Sequence, residues 1–541
     1  MRKRSITWAG LVLALAVIVG GSALGATGAI GHANRAQVLK ESIGAEPPSL
    51  DPGLATDTTS ANVLLNIMDP LVRLGPAPAL KATPSAASSW TVHGATVTLN
   101  LRHDVRWSTG APLHASDYVW SWLRTISPQL GADYAYQFFG IKGAEAYNSC
   151  DPGKSNCNAL RSKVGVQALG KWKLRIQLTS PQAWFPQQLA HNSFLPVNKA
   201  AVTKYGSHWT EAKNIVTDGA FKLSSWKHDA SLTLVKNTRW RGAKHVKLTK
   251  IVLTILTDAT TALNSFQANH NDVDSTGLNP ADIKSQRKHS YFHLWKALGT
   301  YYYGINVKNI TNVNQRRAMA FGINRAQIVK YIGQLGQQPA RGFTPAGIAG
   351  GPTILKHAYF PASAQVSKAK AFLRKVKNPK TNIHLYVNNA PGHPQIATAV
   401  QAQWKELGLN VSIKVQEWKQ YLQFLGPPPN SDVDVYRLGW IYDYPDAQNG
   451  LVLWTCGSGN NNTNWCNKKF DRLVAQGSRT ANATKRYALY QQAEDLLSSA
   501  KGDVPLIPIY WYVYSNLIRP YVHGYVINPM DQTDYSKVSM K

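Results

Sequence analysis

The stretch Asp434-Val-Tyr-Arg-Leu-Gly-Trp-Ile-Tyr-Asp-Tyr-Pro-Asp446 starts as an apolar, alternating run and ends in an aromatic turn that contains Asp443. Alternation of this kind predicts a β-strand over residues 434–440. Three further elements are predicted upstream: a strand at 383–387, a helix at about 395–407 and a strand at 411–415. This order is that of a βαβ unit, so we expect an α/β fold with a mixed or parallel sheet. Asp443 lies just beyond a strand, where ligands of open α/β sheets usually bind.

Regular patterns also occur in the rest of the chain. Apolar alternation predicts further strands, and apolar residues at helical spacing predict further helices. The strands are expected at 38–43, 164–169, 173–178, 301–306 and, as a hairpin, over 90–101; the helices are expected at 60–71, 260–268, 314–332 and 485–497. One more helix follows Ser116 and Asp117, either of which is a suitable N-cap.

Length and composition indicate a globular protein of more than one domain. At 541 residues the chain exceeds what one hydrophobic core usually supports, so we expect two or three domains. With 44% hydrophobic and 16% charged residues, it is too apolar to be disordered. The 17 Trp and 24 Tyr residues are numerous enough to line a pocket as well as to fill a core.

The first 33 residues have the pattern of a targeting segment. Arg2, Lys3 and Arg4 precede an apolar run from Leu11 to Val19, and small residues follow it. We therefore expect an exported protein, periplasmic or on the cell surface, with residues 1–33 as a cleaved signal peptide or an uncleaved N-terminal anchor helix. No Cys lies near the end of the apolar run, so a cysteine-anchored lipoprotein is not expected.

Four cysteines form two local pairs, Cys150 with Cys157 and Cys456 with Cys466. In an exported chain such pairs favour disulfides over free thiols. A zinc site is the other alternative, but neither spacing is that of a metal knuckle and no His stands beside either pair, so no metal is predicted. Three connectivities are possible, and the two local bridges are favoured because each closes a short loop rich in Gly, Asn and Ser.

The net charge of +30 arises from 59 Lys and Arg residues against only 29 Asp and Glu residues. Nucleic-acid binding is not predicted, because the positive charges are scattered and no helix-turn-helix, zinc-finger or RNP-type motif is present. A shortage of acids also fits life in an acidic medium, since fewer carboxylates then drive acid unfolding. The acidic habitat is a hypothesis that the charge alone leaves open.

Motifs that carry catalysis are missing from the sequence. It contains no G-x-S-x-G, no H-E-x-x-H and no G-x-G-x-x-G after a strand, and its 15 His residues are dispersed. We therefore expect neither an enzyme nor a bound cofactor. A catalytic constellation assembled only in three dimensions, such as that of a secreted hydrolase, remains the alternative from another class.

Several segments carry a family resemblance that runs from about Leu39 to the C-terminus. They are Pro48–Pro52, Leu101-Arg102 with Val105–Gly110, Ala115–Asp117, Asn214–Lys222, Thr300–Tyr303, Gln416–Trp418 and Gly439-Trp440 with Asp443-Tyr444. With these motifs the chain resembles the extracytoplasmic oligopeptide-binding proteins of ABC importers, within the peptide- and nickel-binding family.

The resemblance implies a bilobal α/β fold like that of periplasmic binding proteins, with a hinge between the lobes and an extra domain inserted in the N-terminal lobe. Lobe I would comprise residues 34–68, 194–295 and 511–541, the inserted domain residues 69–193, and lobe II residues 296–510. It further implies a monomer that holds an extended oligopeptide between its lobes and presents it to a membrane permease. Another solute, such as a murein peptide, a dipeptide or a nickel chelate, is the alternative within the family.

The resemblance also implies a set of site residues. Asp443 matches the carboxylate that pairs with the peptide α-ammonium, which is chemically reasonable because a buried ammonium needs a charged acceptor. The other expected binding residues are Trp418 and Trp440 as pocket walls, Tyr134 at the peptide backbone, Arg437 as a charged site residue, Gly439 and Ile441 beside it in the strand, and His393 and Lys308 at the peptide carboxylate. Asp446, in the same turn as Asp443, is expected to be exposed.

Two departures from the family pattern concern recognition of the ligand's carboxyl end. An Arg expected within Leu422–Leu425 is absent, and the Lys expected after the 301–306 strand is offset, with Lys308 the nearest candidate. Both groups belong to carboxylate recognition, so the preferred peptide length stays open. A third departure is Ile441, which stands where a Cys of the family's usual disulfide is expected.

Overall fold

The computed structural model describes residues 35–356, 359–426 and 429–541; the predicted leader at 1–33 lies outside the described residues. From Ala36 to Lys541 the chain forms one compact unit. The α-helices of six or more residues are Thr58–Ile67, Ala115–Thr125, Lys199–Tyr205, Ala259–Gln267, Pro280–Gln286, Val313–Phe321, Val366–Leu373, His393–Lys405, Trp418–Leu425, Ala447–Val452, Lys468–Ser478 and Ala483–Ser498. None of the helices in the described part of the chain is both long and apolar enough to span a bilayer.

An 11-stranded mixed sheet runs through the unit. Its strands, in spatial order, are Asn410–Gln416, Asn382–Asn388, Val435–Ile441, Phe292–Ile305, Leu506–Ile518, Val273–Asp274, Val38–Ile43, Lys250–Ile255, Ser231–Lys236 and Phe221–Lys227, with Gln338–Pro339 paired to Leu506–Ile518. The first three strands pair in parallel, and the helix His393–Lys405 connects two of them. The predicted βαβ order and the mixed sheet are thereby confirmed.

Two long antiparallel strands, Phe292–Ile305 and Leu506–Ile518, connect the two halves of this sheet. Their pairing shifts register between Lys296 and Thr300 and again between Tyr301 and Tyr302. Irregular pairing of this kind bends a strand and increases its twist. The two strands therefore join the two halves of the large sheet through an irregular, bent stretch.

A separate antiparallel sheet contains the strands Ala87–His93, Thr96–Leu101, Lys173–Gln177 and Val166–Ala168, so the predicted hairpin is confirmed. It packs in its own hydrophobic cluster, whose buried members lie between Leu71 and Phe194. A second cluster collects residues of the chain termini and the middle, from Leu39 to Met68, Leu195 to Val273 and Ile518 to Met540. A third lies between Tyr301 and Tyr512.

The predicted single helix over 314–332 is wrong. The structure has a helix Val313–Phe321, a short helix Arg325–Ile328 and a π turn Val329–Gly333. Gly322 ends the first helix, and Asn324 caps the second by accepting from the Gln327 N–H at 3.1 Å. Glycine and asparagine at these positions favour a break over a continuous helix, which the apolar spacing alone did not reveal.

The predicted N-cap at Ser116 or Asp117 is also wrong. The helix Ala115–Thr125 is capped by His114, and Asp117 is its third residue. Asp117 Oδ2 accepts from the His114 N–H at 2.7 Å, which is the reaching-back half of a capping box. The two predicted disulfides, Cys150–Cys157 and Cys456–Cys466, are both present.

Candidate functional site

A cavity of about 460 Å³ lies where residues from both halves of the large sheet meet. This is within the size range of small-molecule sites, which is roughly 300–1,000 Å³. Glu41 and Asp57 line it from one half, Arg437 and Asp443 from the other, and Tyr134 from the segment between them. All the predicted binding residues except Lys308 line this cavity.

The carboxylate of Asp443 is buried at the edge of the cavity, with 7% of the residue exposed. Its Oδ2 accepts from Gln137 Nε2 at 2.5 Å and from Asn449 Nδ2 at 2.8 Å. Its Oδ1 lies 3.1 Å from His191 Nε2 and accepts from the Tyr134 hydroxyl at 3.4 Å. Four donors therefore fix its orientation, and none of them is a Lys or Arg.

The hydrogen bond at Nδ1 of His191 determines which of the two ring nitrogens carries the proton. Nδ1 accepts from the Ser193 N–H at 3.3 Å, so in the neutral imidazole Nε2 carries the proton and donates it to Asp443. His191, Gln137 and Asn449 were not predicted from the sequence. His191 and Gln137 are distant in sequence from the strand that positions Asp443, and nothing in their local sequence marks them as partners.

Asn449 ties the Asp443 turn to the strand before it. Its Oδ1 accepts from the backbone N–H of Asp443 and from Trp440 Nε1, each at 3.0 Å, while its Nδ2 donates to the Asp443 carboxylate. Trp440 faces Tyr134 with ring centroids 6.0 Å apart. One amide side chain thus sets the positions of both the carboxylate and the aromatic wall beside it.

A second charged group, Arg437, lines the same cavity and is 6% exposed. Its guanidinium donates to Asn388 Oδ1 at 3.2 Å and to the Tyr512 hydroxyl, and it stacks 4.5 Å from the centre of the Tyr301 ring. Its Nε has no hydrogen-bond partner among the described residues. Arg437 forms no ion pair with a carboxylate of the described residues, and part of its donor capacity is unused.

His393 is the first residue of the helix His393–Lys405, and it lines the cavity near Arg437. Its ring lies 5.3 Å from that of Tyr301, on which Arg437 also stacks. Burial lowers the pKa of His393 well below its usual value, and the positive charge of Arg437 lowers this pKa further. The imidazole is therefore neutral at neutral pH, and its Nδ1 is buried without a hydrogen-bond partner among the described residues.

Gly439 leaves space for the contact between Tyr512 and Arg437. A Cβ atom at Gly439 would collide with the Tyr512 side chain, whose hydroxyl accepts from Arg437. The strand position between Leu438 and Trp440 therefore has to be without a side chain for Tyr512 to reach the guanidinium. Ile441, where a Cys was expected, lines the cavity as an apolar residue.

Trp418 also lines the cavity as the first residue of the helix Trp418–Leu425. Its ring lies 6.2 Å from that of Tyr421, which is fully buried. The Tyr421 hydroxyl donates to the carbonyl of Arg437 at 2.6 Å and accepts from its N–H at 3.0 Å. The helix that presents Trp418 is thus joined to the strand that presents Arg437.

The structure does not bring Lys308 into the site. It is exposed and lies outside the cavity lining, just after the strand Phe292–Ile305 has ended. Its backbone N–H donates to Asn306 Oδ1 at 3.2 Å, which turns the chain there. The offset from the family's Lys position, already visible in the sequence, is large enough to remove this side chain from the cavity.

The expectation that Asp446 is exposed is wrong. Only 4% of Asp446 is exposed; its Oδ1 caps the helix Ala447–Val452 by accepting from the Gln448 N–H at 3.0 Å. Its Oδ2 pairs with Arg486 Nη2 at 3.1 Å. Burial raises the pKa of Asp446 to about 6, although the charge of Arg486 lowers it. Asp446 is therefore a structural carboxylate, outside the cavity lining.

Metal binding has little support in the described residues. One group of three possible ligands, Cys456, Cys466 and Asp471, is close enough together for a metal ion. The two cysteines form a disulfide, so they offer no thiolates.

Comparisons with known proteins agree with this geometry. Residues 81–462 match the family described as bacterial extracellular solute-binding proteins, family 5 Middle. The chain is similar to the oligopeptide-binding protein OppA of Bacillus subtilis, at 31% identity over 93% of each chain. It is also similar to the periplasmic oligopeptide-binding protein OppA of Escherichia coli, at 31% identity over 98% of this chain and 97% of that protein.

Solved structures give the same result. The Burkholderia pseudomallei OppA structure superposes with a TM-score of 0.86 at 27% identity, covering 94% of this chain and 99% of that one. The murein tripeptide binding protein MppA of Escherichia coli gives 0.84 at 27% identity, with the same coverage. Its unliganded open form gives only 0.62 at 27% identity, over 94% of this chain and 98% of that one. The two halves of this chain are therefore arranged unlike those of the open form.

Proposed function

The chain belongs to the bacterial extracellular solute-binding proteins of family 5, and on that premise we propose that it is a receptor that captures oligopeptides between two closing lobes. Its bilobal α/β fold brings both lobes to one cavity. In this proposal the receptor is exported, performs no catalysis and delivers the closed, loaded form as a monomer to the membrane permease of an ABC importer.

One observation carries the proposal: a buried carboxylate at the cavity that is held by neutral donors and has no cationic partner among the described residues. Asp443 accepts from Tyr134, Gln137, His191 and Asn449, which fix its position but do not neutralise its charge. An ammonium group supplied by a ligand would neutralise it. Every linear peptide carries such a group, so recognition at Asp443 does not depend on peptide sequence.

The other terminus of a peptide has a matching candidate. Arg437 is buried at the cavity, interacts with an amide, a hydroxyl and a ring, and keeps an unpartnered Nε. A carboxylate is the usual partner of such a guanidinium. In this proposal His393 contributes to the same end as a neutral hydrogen-bonding group, while Trp418, Trp440 and Tyr134 form the walls between the two ends.

We propose the same assignment of domains and leader as the sequence indicates. Residues 34–68, 194–295 and 511–541 form lobe I, 69–193 the inserted domain and 296–510 lobe II. Three hydrophobic clusters support this division, while a fourth packs Tyr134 and Tyr136 of the inserted domain against lobe II. Residues 1–33 direct export, as a signal peptide or as an uncleaved anchor. The long strands Phe292–Ile305 and Leu506–Ile518 carry the hinge.

Calorimetry with four versions of one peptide tests the proposal. Trialanine should bind, N-acetyl-trialanine should bind at least about tenfold more weakly because it lacks the ammonium, and trialanine amide should be weakened through the lost carboxylate. The doubly blocked peptide should be the weakest. Equal affinity for all four versions would overturn the assignment of Asp443 and Arg437 to the peptide ends.

Two further measurements separate the alternatives. Peptides of two to eight residues, titrated in turn, distinguish a dipeptide receptor from an oligopeptide receptor. Mass spectrometry of ligand released from the purified, denatured protein identifies what it carries. If the protein instead converts added peptide into fragments, it is a secreted hydrolase and the receptor proposal fails.

A further inference from the structure

The charged residues that line the cavity are mostly acidic, whereas the chain as a whole is strongly basic. Overall the protein carries +30, with 59 Lys and Arg residues against 29 Asp and Glu residues. Among the described residues that line the cavity, four are acidic, Glu41, Asp57, Asp443 and Asp531, and only Arg437 is a Lys or Arg. On the proposed function, a peptide's own termini occupy Asp443 and Arg437. Three carboxyl groups then remain without a counter-charge.

Glu41, with 2% of the residue exposed, is held entirely by hydroxyl groups. Its Oε1 accepts from Ser275 at 2.6 Å and from Tyr525 at 2.8 Å, and its Oε2 accepts from Tyr535 at 2.9 Å. Burial raises the pKa of Glu41, and the negative charge of Asp274 adds to that effect. A cation entering the cavity beside Glu41 would oppose both effects and stabilise the ionised form.

Asp57 and Asp531 both contact the helix Thr58–Ile67. Asp57 Oδ1 caps the helix Thr58–Ile67 by accepting from the Ser60 N–H at 3.0 Å, while its Oδ2 is buried without a hydrogen-bond partner. Asn62, on that helix, donates its Nδ2 to the Asp531 carbonyl at 2.7 Å. Burial raises the pKa of Asp531 to about 7. Neither carboxylate takes part in an ion pair among the described residues, in contrast to Asp51, Asp69 and Asp446.

Tyr535 connects Glu41, Asp57 and Asp531, which together form one acidic wall of the cavity. Its hydroxyl donates to Glu41, and its backbone N–H donates at 2.9 Å to Asn66 Oδ1 on the helix Thr58–Ile67, which Asp57 caps and which also binds the Asp531 backbone. Toward Asp443, Asn192 Nδ2 donates at 3.4 Å to the carbonyl of Ala55, two residues before Asp57, and the neighbouring His191 contacts Asp443 at 3.1 Å. The wall therefore extends from Glu41 toward the Asp443 end of the cavity.

An unused acceptor points independently to a donor in this place. Asn516 is 4% exposed and lines the cavity, and its Nδ2 donates to Ser275 Oγ at 3.0 Å, in series with the Ser275 bond to Glu41. Its Oδ1 is buried with no partner among the described residues. A buried acceptor left unpaired costs about 1–3 kcal/mol, so it is a position where a ligand N–H gains a hydrogen bond.

We propose that Glu41, Asp57 and Asp531, with Asn516, form a subsite for the cationic side chain of a lysine or arginine residue in the bound peptide. The described carboxylates here do not form a group compact enough for one metal ion. Carboxylates spread along a wall instead suit an ammonium or guanidinium on a long, flexible side chain. Because the wall approaches Asp443, the preferred lysine position lies in the amino-terminal half of the peptide.

The experiment compares lysine with norleucine, which has the same carbon chain without the ammonium group. Tetra-alanine peptides that carry either residue at each position in turn are titrated by calorimetry at pH 8, where Asp531 is ionised. At one amino-terminal position the lysine peptide should bind at least about tenfold more tightly, the gain expected from one charge-assisted hydrogen bond. At the other positions the two peptides should bind alike.

The structure allows conservative variants. Asp57→Asn keeps the helix cap, because Asn caps as well as Asp. Asp531→Asn keeps the left-handed backbone conformation of that residue, φ 57°, which Asn tolerates. Each of these variants, and Glu41→Gln, should reduce the ratio of norleucine to lysine dissociation constants several-fold, and the triple variant should bring it near one. Asp104→Asn, at an exposed site outside the cavity, removes the same charge and should leave the ratio unchanged.

The outcomes separate this subsite from the proposed function. If no peptide binds, the receptor function itself fails. If peptides bind but lysine has no advantage at any position, the subsite is wrong while the function stands. A lysine preference that survives the triple variant also overturns the assignment, because the cation is then bound elsewhere.

Discussion

Asp443 and Asp446 stand three residues apart in one turn, and both are buried, yet their surroundings differ in charge. Asp443 lines the cavity and is held by neutral donors, whereas Asp446 lies outside the lining, caps a helix and is paired with Arg486. A buried carboxylate that already has a cation contributes to structure. One that is positioned but not neutralised is available to a ligand, so the charge of the partners, and not burial, separates the two roles.

The largest expected effect is on ligand affinity. Asp443→Asn should weaken trialanine binding by about 100-fold or more, because a buried peptide ammonium is then left without its counter-charge. Calorimetry at pH 7 measures this change, and the melting temperature should fall only slightly. The matched variant is Asp446→Asn, which keeps the helix cap and should leave affinity within about threefold. Equal losses of trialanine affinity in the two variants would contradict the different roles assigned to the two carboxylates.

The next effect is on stability. Arg486→Gln should lower the free energy of unfolding by about 3 kcal/mol at pH 7.5, because Asp446 is then an unpaired buried charge. The pKa of Asp446 is already raised to about 6 in the folded state. Ionising this carboxyl is therefore less favourable in the folded protein than in the unfolded chain. As pH falls from about 7 to below 5, Asp446 takes up a proton and this penalty disappears.

Urea unfolding of both proteins at pH 7.5 and pH 4.5 checks the sign: the difference in unfolding free energy between wild type and Arg486→Gln should shrink at the lower pH. Trialanine affinity of the folded variant should stay close to that of the wild type. A stability loss that grows on acidification would show that Asp446 is not the residue left unpaired.

A smaller effect is expected at the other end of the cavity. Gly439→Ala places a methyl group against Tyr512 and should displace the tyrosine that accepts from Arg437. We expect roughly a tenfold loss of affinity for trialanine and less for trialanine amide, which has no carboxylate to lose. If both peptides are weakened equally, Gly439 acts on the cavity as a whole and not through Arg437.

The smallest effect is expected from Tyr134→Phe. Its hydroxyl is 3.4 Å from Asp443, longer than the bonds from Gln137 and Asn449, and three other donors remain after its removal. Affinity for trialanine should fall about two- to threefold. A loss as large as that of Asp443→Asn would mean that the hydroxyl contacts the ligand directly instead of orienting the carboxylate.

The strands and helices around Asp443 could be predicted because their signals are local. The βαβ series and the two disulfides are present, since alternation, helical spacing and short cysteine loops act over a few residues. The helix over 314–332 was predicted as continuous and is broken after Phe321. Capping by Asn324 competes there with apolar spacing, and the spacing alone does not reveal which prevails.

Contacts between residues that are distant in the sequence could not be predicted. Gln137 and His191 reach Asp443 from more than 200 residues away, and Glu41 shares its wall with Tyr535 near the opposite end of the chain. Lys308 was expected in the site and is exposed, because the end of one strand turns it away. Such contacts depend on how sheets and lobes pack, which no local pattern contains.

The sequence by itself therefore determined the class of fold, the cysteine pairs, the shortage of acids and the position of Asp443 after a strand. The tertiary structure decided which of two neighbouring carboxylates faces a cavity and which is neutralised by Arg486. It also gathered three further acids of a strongly basic chain onto one wall. The physical reason is that the chemistry of a carboxylate depends on the charges and donors packed around it, and those are supplied by distant parts of the chain.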